Sequence, residues 1–169
     1  LPPVPVRVDR EALLSELSSD DIAAASYDKI TLRRTFEAGL STICLPFSIE
    51  DIEAVFGDGA KVYEYYGLHD SELEFVITGK LTAAQPYIIS LPEAISEDIV
   101  LTDIRIDRNS TEAGSIVKGE TCFCGTYTPI AAEQWPVIHT PDNFYTLHPD
   151  GTAVRTDSET SLGGFRAFF

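Results

Sequence analysis

The sequence predicts a mainly β domain, either an antiparallel β-sandwich or a Greek-key barrel. Three observations carry this. Short apolar/polar alternations recur from Lys29 to the closing Phe169, turn residues punctuate them at short intervals, and no helical pattern runs beyond a few turns. A short helix at about 49–56 and a helical N-terminal segment complete the expectation. The 169 residues fit one domain, assigned to 9–169 after a Pro-rich lead-in over 1–8.

In the lead-in, LPPVPVRV, three prolines forbid helix and favour extended chain. Asp9 then stands as an N-cap for a short helix carrying Leu13, Leu14 and Leu17 on one face, and Ser18 to Ser26 is expected to form a second turn or helix around Ile22. From Lys29 the period becomes two. Ile30, Leu32, Arg34 and Phe36 alternate with Thr31, Arg33 and Thr35, and Glu37 to Gly39 reads as the turn of a hairpin into STICLPF, residues 41–47. That second run is apolar enough to be covered on both faces, and Pro46 should end its pairing.

Ser48 with Asp51 forms a capping pattern ahead of Ile49, Ile52, Val55 and Phe56, and Gly57 marks the stop, which places the helix at 49–56. Asp58-Gly59 turns the chain into KVYEYYG, and a loop at His69 to Ser71 leads into ELEFVIT, a second hairpin. Further strands are expected at 87–91, 99–107, 115–118, 121–128, 143–148, 152–156 and 164–169. His148-Pro149-Asp150-Gly151 has the chemistry of a hairpin turn. The closing GFRAFF is too apolar to fray and should pair into a sheet.

Acidic residues outnumber basic ones 27 to 12, for a formal net charge of −15 spread along the chain. A nucleic-acid partner is excluded on this ground, because phosphate backbones are bound by clustered Lys and Arg. No apolar run approaches the roughly 20 residues of a membrane helix, so no membrane span is expected. The absence of Met is read as loss of a preceding segment by processing or trimming, as in an exported protein. Cys44, Cys122 and Cys124 are odd in number and lack metal-ligand spacing. They are expected to be free thiols packing as small hydrophobes, with a bridge from Cys44 to one of the pair as the alternative. Cys122 and Cys124 alternate on one strand, where like-facing Cα atoms lie about 7 Å apart, at the limit for a bridge.

Catalytic patterns are missing. Glu72 with Glu74, and Asp103 with Asp107, share strand faces, but a solvated outer face accounts for them, with Arg105 pairing the two aspartates. His69, His139 and His148 have no partner at a zinc-ligand spacing, and neither GDG at 57–59 nor DRNSTE at 107–112 matches an EF-hand loop, although an irregular calcium site is left open. There is no nucleophile elbow and no phosphate-binding glycine loop. No catalytic residue, metal site or cofactor is assigned. Aromatic rings are the better handles for binding, since a flat ring stacks on a sugar face or anchors an interface. Trp135, Tyr145 and Tyr66 are the candidate ligand-binding residues; Tyr63 and Tyr65 share the opposite strand face and are assigned to the core.

The run RTFEAGLSTICLPFSIEDIEAVFGDGAKVYEYYG at 34–67, followed by LTAAQPYIISL, GTYTPI and GFRAFF, resembles a module recurring in secreted and surface-exposed proteins of gut Bacteroidetes. Those proteins carry a Thr-Leu-Cys-Leu-Pro-Phe core, an Ala-Gly-x-Pro-Tyr-Leu stretch, a Gly-Thr-Tyr strand and a Gly-Phe-Arg-Ala-Tyr-Phe end, in this order. The likeness spans about residues 30–169 and departs at Gln85, where Gly is usual, and at Phe168, where Tyr is usual. It implies export, a cell-surface or extracellular setting and a non-catalytic β domain. It supplies no functional residues. The resulting expectation is a non-enzymatic surface module for adhesion, assembly or glycan contact, partnered by a glycan or a cell-surface protein, with homodimerisation through sheet edges left open. A carbohydrate-active enzyme or accessory domain is one alternative, and a structural spacer within a larger surface protein is the other.

Overall fold

Among the described residues, twelve strands follow from the alternating segments. In chain order they are β1 (Glu11–Ser15), β2 (Ala25–Arg33), β3 (Gly39–Ile43), β4 (Lys61–His69), β5 (Glu72–Thr78) and β6 (Tyr87–Leu91). Then come β7 (Ile99–Ile106), β8 (Ser115–Lys118), β9 (Thr121–Thr126), β10 (Tyr145–Leu147), β11 (Ala153–Arg155) and β12 (Arg166–Phe168). The structure, a computed structural model, describes residues 10–19, 22–134, 144–156 and 160–169. The Pro-rich lead-in and Trp135 lie outside these.

The strands form sheets ordered β1-β2-β7, β3-β6-β4-β5 and β12-β9-β8, with β10 and β11 as a separate hairpin. The architecture is mainly β with several antiparallel sheets, and no barrel closes among the described residues. One pairing is parallel: β1 runs alongside β2, matching Leu14 to Leu32. The main core draws on β1, β2 and β7 and on one face of the four-stranded sheet, through Leu14, Ile30, Leu32, Ile43, Val62, Ile89 and Ile106. The other face of that sheet, with Tyr65 and Ile88, meets Phe123, Ala167 and Phe169 in a second core. There Phe123 stacks on Phe169 at 4.6 Å between ring centroids and meets Phe75 and Tyr65 edge-on at 5.6 and 5.8 Å.

Two sequence expectations are corrected. The N-terminal segment is not helical, because residues 11–15 form β1. Leu14 is fully buried while Leu13 and Leu17 are 41% and 81% exposed, so the three leucines share no face. What decides it is a backbone ladder to β2, which local periodicity does not reveal. Second, β2 and β3 are not a hairpin: β3 pairs with β6, and β2 lies between β1 and β7.

The helix α1 is real but shorter than expected, Ile52–Phe56, with Ile52 and Phe56 on its buried face. Its N-cap is Asp51, whose carboxylate accepts from the Ala54 N–H at 3.1 Å. Ile49 is held out of the helix by paired backbone bonds to Leu81, and the Ser48 hydroxyl accepts from the Ala83 N–H instead of capping. The two hairpins β4–β5 and β10–β11 form as expected, the latter around His148 to Gly151. The closing strand pairs with β9, and Phe169 exchanges backbone bonds with Tyr145. All three cysteines are free thiols, so Cys44 makes no bridge, and Cys122 is only half-buried.

Candidate functional site

A polar cleft forms where the end of β1, the β2–β3 connection, β3, the β10 turn and β12 converge. Its volume is about 330 Å³, and Glu16, Ser41, Leu40, Leu147, Pro149 and Arg166 are among its lining residues. That is the small end of the range of ligand pockets, about 300–1,000 Å³. Arg166 Nη2 donates to Glu16 Oε2 at 2.8 Å, with the side chains 23% and 29% exposed. Glu16 is fixed through its backbone: its carbonyl accepts from the Gly164 N–H at 2.6 Å, and its own N–H donates to the Arg33 carbonyl at 3.3 Å. A Cβ on Gly164 would lie 2.5 Å from the Tyr127 carbonyl oxygen, so glycine permits this approach.

Ser41 Oγ is buried without a protein partner. The apolar side of the cleft comes from Leu40, Leu147 and Pro149, and the Pro149 carbonyl accepts from the Leu40 N–H at 2.9 Å, tying the β10–β11 turn to β3. Glu37 and Thr35, both exposed, complete the rim.

Beside the cleft Arg34 is buried. Its Nη1 donates to the Phe165 carbonyl at 2.7 Å and its Nη2 to the Thr42 carbonyl at 2.6 Å. The guanidinium lies over the Phe36 ring at 4.2 Å, and Nε has no partner. Burial pushes its pKa well down, the nearby charge of Arg166 adds to this, and Glu16 opposes it. Arginine starts from so high a value that it keeps its proton. Two guanidinium groups therefore share the field of Glu16, in a chain whose net charge is −15.

Of the two nominated residues that are described, Tyr145 and Tyr66, neither lines the cleft, and Tyr145 stands on a strand that does. It is 36% exposed and stands two positions before Leu147 on β10, hence on the same strand face. Tyr66 is 64% exposed at a bulge in β4 and does not line the cleft. Leu68, Val76 and Ile77 are also exposed on the β4–β5 hairpin, Val76 and Ile77 on opposite faces of β5. Glu72, Glu74 and Asp103 lie at exposed strand positions and Asp107, also exposed, just past the end of β7, where Arg105 binds it at 2.9 Å. His69 meets Asp70 and Glu74 at 3.7 and 3.5 Å on an exposed turn, and no cluster of three metal-ligating groups occurs among the described residues. No helix among the described residues is long and apolar enough to cross a membrane.

Glu16, Ser41, Arg34 and Arg166 were not singled out from sequence. One signal pointed to Arg166: it is the sole charged residue in the closing GGFRAFF. No family model matches the chain, and neither does any curated protein or any solved structure.

Proposed function

We propose that this chain is a non-enzymatic, exported or cell-surface module of β-sandwich type, and that its cleft at Arg166 takes a glycan. The observation that carries this is the half-buried Arg166–Glu16 pair beside the unpartnered Ser41 hydroxyl and an apolar wall of Leu40, Leu147 and Pro149. Sugars ask for this combination, since hydroxyls bond to charged and hydroxyl side chains while C–H faces rest on apolar ones. Export and surface location are supported by the resemblance of residues 30–169 to surface modules.

A second reading, assembly or adhesion, is favoured by the β4–β5 hairpin. There β5 ends its sheet, and Tyr66, Leu68, Val76 and Ile77 are exposed. One experiment separates the two: binding to an immobilised array of host and plant glycans, with and without calcium. The expected result is a hit weakened at least about tenfold by Ser41→Ala and by Tyr145→Ala, each about 1.4 kcal/mol, and untouched by Tyr66→Ala. Loss in Tyr66→Ala alone moves the contact to the hairpin, and loss in Trp135→Ala alone moves it to that residue. Turnover of an arrayed glycan establishes an enzyme, and a blank array leaves a structural spacer.

A further inference from the structure

The two cysteines of β9 are placed for chemistry with each other. They flank Phe123, which is fully buried in the second core, so both thiols emerge on the opposite face of the strand. Like-facing positions on one strand are about 7 Å apart at Cα, near the limit for a disulfide, so a bridge requires the side chains to lean together. They do: the sulfurs are 2.7 Å apart, about 0.7 Å beyond a disulfide bond length. Ile130, Phe144, Phe168 and Leu162 cover this face with apolar surface. Cys122 is the more exposed of the two, and Cys124 is buried.

We propose that Cys122 and Cys124 form a reactive dithiol that closes into an intrastrand disulfide by exchange with a low-molecular-weight disulfide. Cys122, which solvent reaches, gives its proton to water and attacks one sulfur of the small disulfide. The S–S electron pair leaves with the departing thiolate, which takes up a proton. Cys124 then gives its proton to water and attacks Cys122 Sγ, and the electron pair of the mixed disulfide leaves with the second small thiolate, which takes up a proton. In all, two cysteine thiols are oxidised by two electrons and one small disulfide is reduced to two thiols. Burial pushes the Cys124 thiol up to about 12, which makes it a poor attacker of an external disulfide, and it is the 2.7 Å approach to Cys122 Sγ that offsets its small thiolate fraction in the intramolecular step.

Cys44 stands apart. Its thiol is buried, donates to the Ala84 carbonyl at 3.4 Å and is pushed up to about 12 by burial. It stays reduced. The loop closed by the pair is so short that little chain entropy is removed, so the bridge alters thiol chemistry more than stability. This inference does not depend on the glycan reading.

The test uses the full chain incubated with glutathione disulfide, then denatured, alkylated with iodoacetamide and mapped by mass spectrometry. The expected product carries one alkyl group, on Cys44, and a peptide spanning Cys122 and Cys124 that has lost two hydrogens; dithiothreitol restores three alkylatable thiols. Cys124→Ser should hold a single glutathione on Cys122, and Cys44→Ser should close as the parent does. Three alkylated cysteines at every glutathione ratio, a wild-type chain that stops at the glutathione adduct, or a bridge involving Cys44 would each overturn the proposal.

Discussion

Arg34→Lys isolates what the buried guanidinium contributes. Lysine keeps the charge and roughly the length, so the cost of taking a cation out of water stays in place. What disappears is the fork, which bonds the Phe165 and Thr42 carbonyls at 2.7 and 2.6 Å at once, and the flat face over Phe36 at 4.2 Å. One charge-assisted bond is worth about 1.5–3 kcal/mol, and a desolvated cation–ring contact up to about 2. Part is recovered as the ammonium re-aims at one carbonyl, leaving an expected loss of about 2–4 kcal/mol. With about 2–4 °C per kcal/mol for a chain of this size, Tm should fall by about 5–15 °C in a thermal melt.

The same variant has a pH signature. A buried lysine has its pKa pushed below the unfolded value of about 10.4, so between the folded and unfolded pKa values the unfolded chain binds more protons. Stability of the variant therefore rises with pH across that window, whereas the parent arginine stays charged throughout. Urea midpoints for both proteins at about pH 7 and pH 9.5 read the difference, in which contributions from the tyrosines cancel. A variant within about 1 kcal/mol of the parent, or a gap that does not narrow with rising pH, refutes the argument that the fork matters and not merely the charge.

Other outcomes follow from the packing. Phe123→Ala removes the ring shared by Tyr65, Phe75 and Phe169 and should cost about 3–5 kcal/mol in urea unfolding, while Phe123→Leu should cost less than about 2. Burial raises the Tyr127 pKa, and its hydroxyl donates to the Ser110 carbonyl at 2.9 Å. A folded pKa above the unfolded one lends stability that is fully present below about pH 10 and is lost as pH rises towards the folded value. Urea unfolding between about pH 8 and pH 11 should therefore decline more steeply in the parent than in Tyr127→Phe.

Features written in local chemistry were legible from the sequence. The His148 to Gly151 turn, the β4–β5 hairpin and the helix around Ile52 each depend on residues a few positions apart. Leu13, Leu14 and Leu17 are spaced for a helical face, yet Leu13 and Leu14 lie in β1 with Leu17 beyond its end, and only the ladder to β2 decides this. The β2–β3 turn misled for the same reason, since β2 and β3 belong to different sheets. The cleft was less accessible still: Glu16 and Arg166 meet across 150 positions, and no spacing rule reaches that far. Tyr145, singled out as an aromatic ring in a strand segment, opens β10 two positions before the cleft residue Leu147.

The clasp that joins Glu16 to Gly164 and Arg166, with Arg34 on Phe165 and the Thr42 hydroxyl on both Ala167 backbone groups, also bears on how the chain reaches this state. These contacts bridge 125 to 150 positions, so each must close a loop of that length before it rewards the closure. The last strand is then a late arrival in folding. A ribosome-bound chain would wait, with its second core open, until Phe165 to Phe169 had emerged.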